Sequence, residues 1–324
     1  MPKGFAAWPP WAARVIIARL GALLTLALPA ATAHASEFWG AALAIPRAES
    51  NFEVAMRAAD TYAERAASFA MRNPRSAHRL AREAVESYER AIAVDPERAE
   101  PHYRAAEVLY AHFIRDSDAP DREVCERAIE HWRRFEKLAP LDTRVLDLLI
   151  RRSLTHTKLI DHHHLEHALA DYRALLGLLD GRSTDPEAMA TWLSNKAEIL
   201  MMLGRLDDSI ELYVRSLALQ DRALYGYGMA VALDRDGQGV KAREVMRAYA
   251  ASDELRDLSR SGVFFVPDGE IHYYLGLGHD AIGDSERAIH HFERYLASDA
   301  HPQFRARAAD NVSALERRLR EEGR

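Results

Sequence analysis

The chain has 324 residues, of which 48% are apolar, 28% are charged and 8% are aromatic. These fractions are typical of a folded chain and exclude wholesale disorder. With 16 glycines, 13 prolines and 56 alanines, the composition favours helices over an all-β fold. A single cysteine excludes an intramolecular disulfide framework and any cysteine-based zinc or iron–sulfur site. The formal charge of −6, with both signs mixed along the chain, gives no sign of nucleic-acid binding.

The first 35 residues have the composition of a secretory leader. Three basic residues and no acid accompany an apolar run at 20–30. Ala33 and Ala35 are small residues at the two positions that a signal peptidase reads, so we expect cleavage between Ala35 and Ser36. Residues 1–35 are therefore predicted to be a signal peptide, and the mature chain, with a formal charge of −9, to be periplasmic or secreted. The alternative is a retained membrane anchor, because the apolar stretch approaches the length of a span.

A repeated pattern occupies most of the remaining chain. It combines a small residue with a large, usually aromatic, residue four positions later. In the copies at 84–96 and 128–140, a proline follows the small residue at the same offset of twelve positions. The small residues are Ala84, Ala128, Ala168, Ser209, Ala242 and Ala288, at intervals of 44, 40, 41, 33 and 46 residues. Each copy is preceded by another amphipathic segment, which predicts a first (A) and a second (B) helix per unit.

These helix pairs resemble the tetratricopeptide repeat (TPR), whose units show a Leu-Gly pair, a later alanine, an aromatic residue and a closing proline. The last copy carries Leu275 and Gly276 in its A helix, and Ala288 and Phe292 in its B helix. The resemblance implies an all-α fold, a right-handed superhelical solenoid of antiparallel helix pairs.

We predict three segments along the chain. A signal peptide at 1–35 precedes a TPR-like array of about six helix pairs at 36–300, and a C-terminal capping helix follows at 301–324. The B helices are expected near 76–94, 121–138, 163–179, 206–219, 239–251 and 285–297.

The sequence offers no evidence for an enzyme or a cofactor. It contains no glycine-rich phosphate loop, serine nucleophile elbow or HExxH helix. His163 and His167 share one helix face at i and i+4, a spacing that suits a metal ion. The competing interpretation is a solvated helix start capped by Asp161. We predict no catalytic, cofactor or metal site, and keep metal binding by His162–His167 as an alternative.

The resemblance also implies where a partner binds, because the A helices of TPR-like arrays line a concave groove. Tyrosines and methionines among charges make an amphipathic surface of the kind that recognises peptides. Some of the tyrosines are expected to pack between neighbouring helices instead. The predicted groove residues are Tyr103, Glu107, Tyr110, Asp147, Arg151, Glu198, Met201, Tyr227, Asp234, Arg235, Tyr273 and Asp280.

We therefore predict an exported scaffold or adaptor that binds a protein or peptide in its groove during cell-envelope assembly. It performs no catalysis, binds no nucleic acid and contacts a membrane through the leader alone, if the leader is retained. An alternative is an envelope scaffold whose tyrosines stack on sugar rings of polysaccharide or peptidoglycan. A second alternative is the metal-binding protein described above.

Overall fold

The structure, a computed structural model, describes residues 50–117, 119–179, 185–250 and 268–323. The predicted signal peptide lies outside these ranges. The described residues belong to one folded unit, Glu49–Arg324.

Thirteen α-helices and no β-strand occur in the described part of the chain. In chain order they are α1 (Asn51–Phe69), α2 (Pro74–Val94), α3 (Ala99–Leu109), α4 (Arg122–Leu138), α5 (Val145–Leu159), α6 (His162–Leu178), α7 (Pro186–Met202), α8 (Leu206–Leu219), α9 (Ala223–Arg235), α10 (Gly239–Tyr249), α11 (Ile271–Ala281), α12 (Ser285–Ala297) and α13 (Arg305–Glu322). Helix α3 continues into a π-helical turn, Tyr110–Ile114. None of these helices combines the length and apolarity needed to cross a bilayer.

The first twelve helices form six pairs, in which an odd-numbered A helix packs on the even-numbered B helix that follows it. Successive pairs contact one another in chain order, and α13 packs on α12. The predicted all-α solenoid of helix pairs is thus confirmed.

The recurring small residues of the sequence lie in the interior of this array. All six, from Ala84 to Ala288, are 0% exposed, and the large residue four positions later is at most 3% exposed in every copy. In the last pair, a Cβ added to Gly276 of α11 would lie 2.9 Å from the ring of Phe292 on α12. The repeat pattern therefore marks residues buried where helices of a pair meet, and the small side chains allow that approach.

Three of the A helices are followed by a glycine whose backbone has the left-handed conformation. Gly204, Gly237 and Gly283 have φ of 74°, 82° and 85°, a region that glycine enters without steric cost. In each case the next residue donates its N–H to a carbonyl five positions earlier, at 2.8 to 2.9 Å. Ile160 takes a similar conformation at the end of α5, with φ of 65°. These short turns reverse the chain, so that the A and B helices pack antiparallel.

Candidate functional site

The predicted groove residues fall into two groups that differ in exposure. Five lie on or directly after α3 and on α5 and are half-buried or exposed, namely Tyr103, Glu107, Tyr110, Asp147 and Arg151. Seven lie on α7, α9 and α11 and are buried, namely Glu198, Met201, Tyr227, Asp234, Arg235, Tyr273 and Asp280. The prediction that these seven line an open groove needs correction, because each is enclosed by other parts of the chain.

Helix α13 covers the A helices of the last two pairs. Arg307 donates to both oxygens of Asp234, at 2.6 and 3.2 Å, and Asn311 donates to the same carboxylate at 2.8 Å. Further along α13, Arg318 donates to Asp280 at 2.7 Å. The sequence pattern predicted this helix as an end cap. Its contacts reach back 38 to 77 residues, and local periodicity does not report contacts of that range.

Arg235 and Glu270 form a buried ion pair at the start of α11. Nη2 of Arg235 lies 2.6 Å from Oε1 of Glu270, and both side chains are 0% exposed. The guanidinium also lies 4.6 Å from the ring centroid of Tyr273 and 4.1 Å from that of Phe304. Cation–π contacts of this kind are favourable when both groups are desolvated. The pair therefore fixes α9 to the start of α11, and Arg235 is not available to a partner.

Glu198 is a buried carboxyl that connects three helices. It accepts hydrogen bonds from the hydroxyls of Tyr213 on α8, at 2.6 Å, and Tyr274 on α11, at 3.0 Å. Burial, together with the charge of Glu270, raises the pKa of Glu198 to about 7. The hydrogen bond from Tyr274 on α11 to Glu198 on α7 thus crosses the space that the sequence suggested was a groove.

The five accessible residues form a surface that we call the open A-face, defined as Tyr103, Glu107, Tyr110, Asp147 and Arg151. Arg151 on α5 forms an ion pair with Glu107 on α3. Its guanidinium lies 5.9 Å from the ring centroid of Tyr110. Asp147 is exposed on α5. The structure therefore brings together on one surface the groove residues that the sequence assigned to the second and third pairs.

A chain of ion pairs joins the open A-face to α1. Arg144 lies 4.5 Å from the ring centroid of Tyr103 and 2.9 Å from Glu100. Arg104 contacts Glu100 at 2.7 Å and Asp60 on α1 at 2.9 Å. Burial opposes ionisation of Glu100, but hydrogen bonds from both arginines hold its pKa below the ordinary value. Sequence reasoning missed the roles of Arg104 and Asp60, although the i, i+4 spacing of Glu100 and Arg104 was a local signal.

Tyr110 occupies a distinctive backbone position on this surface. It begins the π-helical turn Tyr110–Ile114, and π turns are concentrated at functional sites. Its ring meets that of Trp132 edge-on at 5.8 Å, and burial raises the pKa of its hydroxyl. The ring is therefore packed on one side and held in place, as an anchor for a partner requires.

Comparison with known proteins gives structural matches alone. No family model matches the chain, and no curated protein is similar to it in sequence. A solved structure of the MamA protein is 13% identical, covers 67% of this chain and 98% of its own, and has a TM-score of 0.45. PilW, described as a widely conserved type IV pilus biogenesis factor, is 16% identical over 76% of this chain and 97% of its own, with a TM-score of 0.44. YrrB, described as a TPR protein with an unusual peptide-binding site, is 13% identical over 70% and 99%, with a TM-score of 0.38.

The assignment of the fold rests on the helix pairs of this chain. In all six, the B helix buries a small residue and, one turn later, a large one, which is the pattern that the TPR resemblance implied. The fold is TPR-like. In the described part of this TPR-like array, the residues of the predicted groove that stay at least partly exposed are those of the open A-face.

The histidine-rich segment begins α6, the B helix of the third TPR-like pair. Asp161 caps this helix by accepting the N–H of His164 at 2.9 Å. Nε2 of His163 lies 3.2 Å from Nε2 of His167, and Nδ1 of His164 lies 2.8 Å from Nδ1 of His156. Within the described ranges, no group of three or more histidine, cysteine, aspartate or glutamate side chains is arranged to hold a metal ion.

Proposed function

We propose that this protein is an exported scaffold or adaptor that binds a protein or peptide partner on the open A-face. The observation that carries the proposal is the contrast in exposure along the predicted groove. The C-terminal part of the predicted groove is filled by the chain's own side chains and by α13. In its N-terminal part, Tyr103, Tyr110 and Asp147 remain accessible.

The chemistry of the open A-face suits an extended segment of mixed or basic charge. Tyrosine side chains provide amphipathic contact area with little conformational entropy to lose, and paired charges at their edges give hydrogen-bonding specificity. Among the described residues, the charged side chains of this region and of its supporting ion pairs are Asp60, Glu100, Glu107, Asp142, Asp147, Arg104, Arg144 and Arg151. Five acids therefore face three arginines. This excess of negative charge would favour a lysine or arginine of the partner beside Asp147.

A polysaccharide ligand is supported less well than a protein. Sugar recognition would need an open tyrosine ring face, but Tyr227 and Tyr273 are buried. The guanidinium of Arg144 lies over the ring of Tyr103, at 4.5 Å from its centroid. None of these three tyrosines therefore presents a free ring face to a ligand.

The Tyr110→Ala and Asp147→Lys variants test the binding proposal. We expect each to weaken binding of the partner captured from the envelope fraction about tenfold or more, because truncating a hot-spot anchor costs about 2 kcal/mol or more, and reversing the charge of Asp147 repels a basic side chain of the partner. The measurement is a dissociation constant for the purified pair. Glu211→Lys, which reverses the charge of an exposed acid of α8 in the same way, is the matched control and should bind as the wild type does. Equal affinities for all four proteins would contradict the proposal.

The cell-envelope location is supported by the leader pattern, with its basic start, apolar run and small residues at 33 and 35. N-terminal sequencing of the protein made in its own host is expected to begin at Ser36, in an envelope or extracellular fraction. Recovery of a cytosolic chain that still carries the leader would contradict export.

A further inference from the structure

We propose that Nε2 of His163 and Nε2 of His167 chelate a divalent transition-metal ion on the exposed face of α6, with Cu²⁺ bound more tightly than Zn²⁺. This site goes beyond partner binding, since it lies on a B helix and not on the open A-face. It is a two-histidine chelate, whose remaining coordination positions are filled by water or by a donor from another molecule.

The distance between the two nitrogens fits a shared ion. Imidazole nitrogens bind Zn²⁺ at about 2.0 to 2.1 Å, so two nitrogens 3.2 Å apart subtend an angle of roughly 100° at the ion. That angle lies between the 90° of the tetragonal geometry that Cu²⁺ prefers and the roughly 109° of tetrahedral Zn²⁺. Because both geometries are accessible, the order of affinity follows the intrinsic preference of nitrogen ligands for Cu²⁺ over Zn²⁺.

The surroundings hold the ring of His167 and the backbone at His163 in place before an ion arrives. His156, which is 1% exposed, stacks on the ring of His167 with the centroids 5.3 Å apart and the planes at 23°. The backbone around His163 is fixed because Asp161 caps α6 and also accepts a hydrogen bond from Arg122 at 2.8 Å. A preorganised pair loses less conformational entropy on binding than two free side chains would.

A metal ion bound by the pair keeps free coordination positions. His163 is exposed, so water can reach the open positions. Two ligands without a third give reversible binding rather than a permanent structural site.

Titration of the full-length protein with Cu²⁺ at neutral pH in a non-coordinating buffer tests the proposal. We expect one saturable, reversible site by calorimetry, two nitrogen ligands by electron paramagnetic resonance, and weaker binding of Zn²⁺. His163→Gln and His167→Gln should each reduce Cu²⁺ affinity at least tenfold. His162→Gln replaces an exposed histidine at the first position of the same helix and should retain wild-type affinity. Circular dichroism is the check that each variant is folded.

The proposal would be overturned if His163→Gln and His167→Gln bound Cu²⁺ as the wild type does. It would equally be overturned if no saturable site appeared, or if the site were lost on replacing His272 and His291, whose Nδ1 atoms lie 3.1 Å apart between α11 and α12. As an independent readout, Cu²⁺ should raise the melting temperature of the wild type and of His162→Gln, and leave that of His163→Gln unchanged.

Discussion

A His102→Gln/His291→Gln double variant is expected to lose roughly 2 to 3 kcal/mol less free energy of unfolding than the wild type when the pH falls from 7 to 4.5. Both rings lie between the A and B helices of a pair. Nδ1 of His102 is 3.1 Å from Nδ1 of His131, and Nδ1 of His291 is 3.1 Å from Nδ1 of His272. Burial, with the neighbouring imidazoles, lowers the pKa of His102 and of His291 to about 4.

The direction follows from proton binding by the two states. The unfolded chain protonates both residues near pH 6.5, whereas the folded chain keeps them neutral to about pH 4. The stability that they contribute is therefore present above pH 6.5 and is lost as the pH falls towards 4, by roughly 1 kcal/mol per residue at pH 4.5, because water near the partly enclosed rings screens part of the effect. Glu198 acts in the opposite direction, because its raised pKa means that the folded state takes up a proton first. The difference between variant and wild type isolates the histidines.

The measurement is urea unfolding followed by circular dichroism at half-unit steps of pH. His290→Gln, an exposed histidine beside His291, is the matched control and should keep the wild-type pH profile. If the double variant and the wild type lost the same free energy between pH 7 and 4.5, the folded chain would not hold the His102 and His291 rings neutral.

An Arg235→Met variant is expected to lose about 3 to 5 kcal/mol of stability at pH 7. The substitution removes the cation that faces Glu270 across 2.6 Å, and leaves a carboxylate buried without its partner. It also removes the guanidinium that lies between the rings of Tyr273 and Phe304. A single change at this position therefore weakens the junction between α9, α11 and the segment before α13.

Two comparisons separate the charge from the packing. The Arg235→Met/Glu270→Gln double variant should recover part of the lost stability, because no buried charge is left unpaired. Arg98→Met breaks an exposed pair with Asp95, whose side chains are 66% and 41% exposed, and should change stability by less than about 1 kcal/mol. If Arg235→Met unfolded at a urea concentration no lower than Arg98→Met does, the buried pair would not stabilise the array.

The repeating part of the fold was predictable because its signals are local. A small residue followed one turn later by a large one, as in Ala288 and Phe292, determines how two adjacent helices pack. Glycines such as Gly283 mark the turns between them, because a left-handed conformation strains other residues. Each signal acts within one helix pair, so periodicity in the sequence was enough to find it.

The closed part of the groove was not predictable from the same signals. Glu198 and Tyr274 are separated by 76 residues, and Asp234 and Asn311 by 77. The sequence pattern at a charged groove position is the same in both cases, whether a partner pairs with that charge or the chain's own C-terminal helix does. The i, i+4 spacing of His163 and His167 predicted that they share one helix face. The stacking of His156 on His167 depends on tertiary packing, which the spacing does not report.

We propose that the A helices of the second and third pairs bind the partner, while the chain itself fills the later part of the groove. Hydrogen exchange of the protein with and without its captured partner tests this most directly. We predict added protection in 99–114 and 145–159, the segments that carry Tyr103, Tyr110 and Asp147, and unchanged exchange in α9, α11 and α13. Protection confined to α9, α11 and α13, with none in the first two segments, would contradict the account.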